Sequence, residues 1–442
     1  MQIKLSDHFS YPRLFRFTLP SICMMLFTSV YLVIDGYFVS NFIGKTALAA
    51  VNMIYPVIMI IGSFGFMLGT GGSALVAKTM GEGDDEKAKK LFTLIYLTSV
   101  IVGVILTLPS FIFLDKIAYF LGARGELLEN SITYGRILLS TVVLFVVQLE
   151  SQVFFVTAEK PKLGLVMTVL SCGTNIILDG LFCAVLNLGV PGAAAATAIS
   201  QAIGGTIPLL YFTFKRKGRL YFTKTYFDKK ALLKSASNGF SELLSNTSAA
   251  VIGMLFNAQL LRYVGENGVA AYSVLMYVSM VFVAIFIGFS SGISPVISYN
   301  YGAENHKELK SITHKLLTLI IITSLLMLVF SLYMASPLSR LFVGYDEELY
   351  QMTLRGFYIY SFSFIFAGIS IFSSSFFTAL NNGPVSAVIS FLRTFILQLI
   401  FVIVLPPILG IDGIWLSIVF AEIISFFVSF YFLITKKKVY HY

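Results

Sequence analysis

Five carboxylates interrupt otherwise apolar runs: Asp35, Glu150, Asp179, Glu242 and Glu422. A charged side chain at the centre of a membrane helix costs roughly 2.5 kcal/mol or more, so each acid needs a reason to be there. Asn175 and Asp179 are four residues apart and share a helix face, which aims an amide oxygen and a carboxylate at one spot. Adding Asp35 and Thr197 from neighbouring runs gives a cluster of oxygens, the ligand type that a hard cation such as Na+ accepts. If Asp35 and Asp179 meet in a dry place they cannot both stay ionised cheaply, and the pair is expected to hold a proton or a Na+ almost interchangeably. The competing reading is that both acids only hydrogen-bond helix backbones at a packed interface.

Further polar residues fall at helical spacing around this cluster. Thr28, Tyr31 and Asp35 make a stripe on one face, and Gln148 and Gln152 are four apart on another helix. These suit a cavity wall for an aromatic cation, with Tyr31 offering its ring face, although each alone also suits an interhelical hydrogen bond. Glu242, flanked by Ser241, Ser245 and Asn246, is a further cavity candidate that those neighbours could equally satisfy. Glu150 and Glu422 are weaker, Glu422 reading as a tolerated polar site near a helix end. Pro20, fifteen residues before Asp35, frees a backbone carbonyl and permits a kink.

The elements that must position these residues are membrane helices. Of 442 residues, 57% are apolar and 12% charged, with a mean hydropathy of +0.85, which excludes a water-soluble globular domain. Apolar stretches of spanning length lie near 15–39, 50–77, 91–113, 132–157, 162–186, 191–214, 236–262, 268–298, 312–335, 353–378, 385–407 and 410–434. They are continuous blocks without strand alternation, so the predicted fold is an all-α polytopic bundle of twelve helices. The first run has no small-residue cleavage pattern and reads as a span, not a removable signal. Cys23, Cys172 and Cys183 sit inside apolar runs and read as small buried hydrophobes.

The net charge of +9 sits in short loops. Placing both termini in the cytoplasm puts 23 basic residues inside against seven outside, with Arg393 left near a helix end. Sliding the chain by 221 residues superposes Gly44 on Gly265, Gly71-x-Ser73 on Gly292-x-Ser294, Gly81 on Gly302, and Gly189-x-x-Gly192 on Gly410-x-x-Gly413. The expected domains are an N-lobe over 1–214, a cytoplasmic basic linker over 215–235 and a C-lobe over 236–442. Six spans in each half relate the lobes by an axis along the membrane normal, which is transporter architecture. The positions matching Asp35 and Asp179 are Phe256 and Ile400, so the oxygen cluster is not duplicated.

In the first half the order Val33-Ile-Asp35-Gly36-Tyr37-Phe38-Val39, Gly44, Ala47-Leu48-Ala49-Ala50, Lys160-Pro161, Asn175-Ile-Ile-Leu-Asp179 and Gly189-Val-Pro-Gly192-Ala193-Ala194 resembles the multidrug and toxic compound extrusion (MATE) transporters over essentially the whole chain. The resemblance implies two six-helix lobes in a V around a central cavity, and export of bulky organic cations against inward Na+ or H+ by alternating access. It implies that Asp35, Asn175, Asp179 and Thr197 match the family's N-lobe cation site. It also implies that Thr28, Tyr31 and Gln152 line its pocket, that Pro20 takes part in first-helix bending, and that Glu242 is the C-lobe acid. The tenth span carries Arg355 and no acid, a departure from members with an aspartate there.

No phosphate-binding loop, zinc-protease motif or nucleophile elbow is present, so an enzyme is not expected, nor is a cofactor beyond the transported Na+ or H+. The rival reading is a flippase of lipid-linked oligosaccharide or polyisoprenoid from the same superfamily. A pyrophosphate cavity should be basic, whereas these intramembrane charges are almost wholly acidic. The expected partners are small organic cations and the lipid bilayer of a bacterial cell, with no nucleic acid, and the chain is expected to act as a monomer.

Overall fold

Glycine and proline punctuate the apolar runs, and short acidic or amide side chains start many of the helices between them. The structure is a computed structural model that describes residues 3–216 and 218–442; Lys217 of the basic segment lies outside the described residues. The first half contains α1 (Tyr11–Phe38), α2 (Lys45–Gly81), α3 (Asp85–Ile112), the short α4 (Leu114–Phe120), α5 (Glu126–Thr157), α6 (Pro161–Asp179) and α7 (Gly189–Phe214). The second contains α8 (Lys229–Tyr263), α9 (Glu266–Gly302), α10 (His306–Val343), α11 (Glu347–Ser361), α12 (Ser363–Ala379), α13 (Gly383–Phe391), α14 (Leu397–Val404), α15 (Pro406–Leu409), α16 (Ile411–Thr435) and α17 (Lys437–Tyr440).

Among the described residues ten spans are long and apolar enough to cross a membrane alone, and α11 with α12, bent by 47°, supplies an eleventh. The twelfth is α8, which falls short of that apolar standard because Lys234, Glu242 and a run of serines and asparagines dilute it. Two boundaries differ from the sequence reading. The tenth span is broken at Phe362, and α8 begins at Lys229, inside the segment read as linker, because the Asp228 carboxylate accepts the Ala231 backbone N–H at 3.0 Å.

The 221-residue repeat reappears in the turns. Gly44 and Gly265, Gly83 and Glu304, and Gly189 and Gly410 all have positive φ, so the matched turns between helices share a left-handed φ. Helix starts match as well: Asp84 caps Lys87 N at 2.9 Å and Asn305 caps Glu308 N at 3.1 Å. Both chain ends lie on one side of the bundle. His8 meets Glu308 at 2.7 Å, while His441 packs on His306, all at the start of α10.

Three apolar cores follow from this arrangement. One core is shared by both halves at the side carrying the termini, and includes Phe17, Phe92 and Phe155 with Ile293, Ile312 and Phe376. Val39, Ile54, Tyr134 and Ala198 belong to a core made only by the first half, and Phe256, Tyr272, Phe357 and Trp415 to one made only by the second. In lipid, burial of apolar surface drives helix pairing weakly, so close backbone approach through small residues must carry the shared contact. Gly71 of α2 faces Gly239 of α8, and Gly81 of α2 faces α9 near Gly302; a Cβ at any of these four would collide with the opposing backbone.

Candidate ion and substrate sites

Asp35 lies in the last turn of α1 and Asp179 is the last residue of α6. Each is followed within a turn by a widened π-helical segment, Val39–Ile43 and Gly180–Val185, and the two segments touch. Such widening is frequent at functional sites because it frees backbone groups and re-aims side chains. The packing of α1 on α6 brings the two carboxyl groups within reach of each other. Asn175, one turn before Asp179, donates from Nδ2 to Thr197 Oγ1 of α7 at 3.3 Å. All four predicted residues therefore converge on one spot.

The spot is dry and short of donors. Asn175 and Asp179 are 0% exposed, and Asp35 and Thr197 are 8% exposed. Asp35 Oδ1, both carboxyl oxygens of Asp179 and Asn175 Oδ1 are buried without a hydrogen-bond partner. No lysine or arginine pairs with either acid among the described residues. Buried oxygens in that condition cost several kcal/mol unless a proton or a cation satisfies them. Two carboxylates with amide and hydroxyl oxygens fit a hard monovalent cation.

Sequence reasoning missed two tyrosines here. Tyr134 of α5 reaches the Thr197 hydroxyl, and Tyr55 of α2 lies beside Asp35 with its own hydroxyl buried and unpaired. A buried phenol needs a partner, and a tyrosine inside an apolar run was the available signal. Tyr31 stands in the same group, next to Tyr55 and Asp35.

Of the five residues expected to line one cavity, Gln148 and Gln152 share a small pocket between α5, α6 and α7, and Glu242 lines another. Thr28 spends its hydroxyl on Met24 O at 2.9 Å. Gln148 donates to Ser171 at 3.1 Å and Gln152 to Thr168 at 3.3 Å, so both join α5 to α6 in the interhelical role that was the alternative reading. Pro20 is buried within a continuous α1.

Glu242 lines a separate cavity of about 110 Å³, whose walls carry Ser245, Asn246, Ser290, Ser374 and Arg393, with Phe66, Thr70 and Val153 from the first half. Two sequence readings are corrected here. Arg393 does not sit at an outlying helix end; it lies in the π-helical segment Leu392–Ile396, in the cavity wall. Glu422 is its buried partner, accepting from Arg393 Nε at 2.9 and 3.0 Å through its two oxygens. A two-point bond of this kind lets a guanidinium stay inside the bundle. The intramembrane charges are thus less one-sided than the sequence suggested. Phe256, where the first half has Asp35, stacks on Tyr272, and Ile400 is half-exposed, so no second acid pair exists there.

Comparison with known proteins agrees with this architecture. The sequence matches the MatE family over residues 20–181 and 243–404, one match in each half. It is 26% identical over 427 residues to the multidrug export protein MepA of Staphylococcus haemolyticus (strain JCSC1435), covering 96% of this chain and 93% of that one. A crystal structure of MATE in complex with MaL6 superposes with a TM-score of 0.93 at 24% identity, covering 98% of each chain. An outward-facing multidrug resistance MATE transporter of the MOP superfamily superposes at 0.92 and 24% identity, over 98% of this chain and 97% of that one. With a family match in both halves and twelve crossings in the same arrangement, the chain belongs to the MATE family of efflux transporters, as a multi-pass protein of the bacterial plasma membrane.

Proposed function

We propose that this transporter exports lipophilic organic cations in exchange for inward Na+ or H+, and that the coupling ion is held by Asp35, Asn175, Asp179 and Thr197. One observation carries the reading: four buried oxygens without a hydrogen-bond partner, three on two facing carboxyl groups and one on Asn175, with no basic residue paired to them. A proton shared by the carboxyls, or a Na+ between them, removes the mutual repulsion and lets the ends of α1 and α6 close together. Loss of the ion restores the repulsion, so occupancy biases the π-helical segments that follow both acids.

The two lobes would be residues 1–214 and 236–442, joined by the basic segment with both termini in the cytoplasm. The shared core then closes the cytoplasmic side. Glu242 supplies the charge that attracts a cation, since Arg393 is already engaged by Glu422. That engagement also disfavours the lipid-linked pyrophosphate flippase, which would need a free cationic cavity. Pro20 would give α1 a bending point. The transporter is expected to act as a monomer without a resident cofactor.

The test is uptake of a fluorescent lipophilic cation into inside-out vesicles under an imposed pH or Na+ gradient. Gradient-driven uptake in the wild type that is abolished in Asp35→Asn and Asp179→Asn is the expected result, and the effective gradient names the ion. Uptake that survives both substitutions removes the pair from coupling. Absence of uptake by correctly inserted wild type turns the reading toward the flippase.

A further inference from the structure

Glu150 stands apart from both sites. It lies on α5, 0% exposed, and neither carboxyl oxygen has a hydrogen-bond partner. On one side α2 approaches so closely that a Cβ on Gly69 would lie 3.0 Å from Glu150 Cα. On the other, α3 brings Ser99 beside the carboxyl, but that hydroxyl donates to Ile95 O at 3.2 Å. Tyr96 of α3 is the titratable group that faces it, and its phenol is hydrogen-bonded to Ser151 at 2.8 Å. Among the described residues no lysine, arginine, histidine or second acid faces Glu150 from α2, α3 or the other helices packed on α5 at this level.

An ionised carboxylate enclosed in this way, with neither cation nor donor, costs several kcal/mol or more, so Glu150 holds its proton. The surroundings also discriminate between ions. Among the described residues no second carboxylate faces Glu150, so the paired acids that would hold a Na+ are missing, while a proton needs only the one carboxyl. Glu150 is sixteen residues along α5 from Tyr134, or about 24 Å, toward the side carrying the termini. It is also one turn from Val153, which with Phe66 and Thr70 forms the first-half wall of the cavity holding Glu242.

We propose that Glu150 is a second, proton-only binding site of the first half, which releases its proton to water when α2 and α5 are exposed from one side of the membrane and reloads from the other. The carboxyl loses H+ as a carboxylate and regains it, with no other bond changed. Proton coupling then uses two sites, the Asp35–Asp179 pair and Glu150, whereas Na+ occupies the pair alone. The inference rests on the coupled-efflux reading above.

Infrared spectra of the reconstituted full chain, titrated from acid to alkaline with and without Na+, test the site. Among the protonated-carboxyl signals that outlast those of the exposed acids, two are diagnostic. One disappears in Asp35→Asn and is displaced by Na+; the other disappears in Glu150→Gln and ignores Na+. Uptake driven by a pH gradient should fall by about tenfold or more in Glu150→Gln, one decade of rate, while binding of the fluorescent cation persists. Glu150→Asp, which keeps the acid, should recover part of it, and this separates loss of the proton from loss of the fold. A Glu150→Gln spectrum identical to wild type overturns the protonated state. A signal that is lost while uptake stays within about twofold of wild type makes Glu150 a buried structural acid and overturns the coupling role. If the wild type shows no uptake under either gradient, the efflux reading itself fails and the coupling role goes with it, while the spectra still decide whether Glu150 carries a proton.

Discussion

Single residues decide most of the chemistry, and two of them answer a question the sequence left open. Arg393 and Glu422 are 29 residues apart with no shared spacing, so only the fold could pair them. Removing one partner strands a buried charge, typically at a cost of about 3–5 kcal/mol, whereas replacing both with apolar residues of similar size costs far less. Glu422→Gln should therefore lower the thermal midpoint of the purified protein markedly, and Arg393→Met with Glu422→Leu should recover most of it; equal losses in the two variants would refute a stabilising pair. The Asp35, Asn175, Asp179 and Thr197 cluster was legible because polar groups in apolar runs are expensive and therefore conspicuous. Tyr55 and Tyr134 were not, since a tyrosine passes as an apolar filler until its hydroxyl is seen facing an acid. Gln148 and Gln152 were conspicuous for the same reason as the acids; their amide nitrogens join α5 to α6, while their amide oxygens stay buried and unpaired.

At the level of elements, hydropathy located all twelve crossings, because a membrane span is a length requirement that composition alone reveals. It could not reveal the break at Phe362 or the three π-helical segments, which depend on how neighbouring helices press on a locally continuous apolar run. Nor could it foresee that α8, the least apolar span, is buried against α2 by glycine contact. A branched side chain at that crossing must force the backbones apart. Gly71→Val and Gly239→Val are each expected to splay the side carrying the termini, seen as a longer distance between spin labels on the ends of α2 and α9, and to abolish transport. Unchanged distances with unchanged transport would show that the approach of these helices is not required. Gly253, with open space where its Cβ would stand, is the control that should tolerate alanine.

For the whole molecule, the cores describe two halves that are independent at one side and merged at the other. Moving between accessible states requires the merged side to part. Lys78 on α2 and Tyr301 on α9 face each other across that seam, with the ammonium 5.6 Å from the ring centre. In a background lacking Cys23, Cys172 and Cys183, a disulfide between Lys78→Cys and Tyr301→Cys should stop transport, leave binding from the far side intact, and release on reduction. Transport that continues with the bond formed would mean that the halves do not separate there.

The matched left-handed turns, Gly44 with Gly265, Gly83 with Glu304 and Gly189 with Gly410, also speak of ancestry. A six-helix unit alone leaves its glycine-lined face bare, because the merged core needs residues from both halves. Joining the two units in one chain keeps those faces opposite each other and leaves the halves free to differ: Asp35 and Asp179 stand in the first where Phe256 and Ile400 stand in the second.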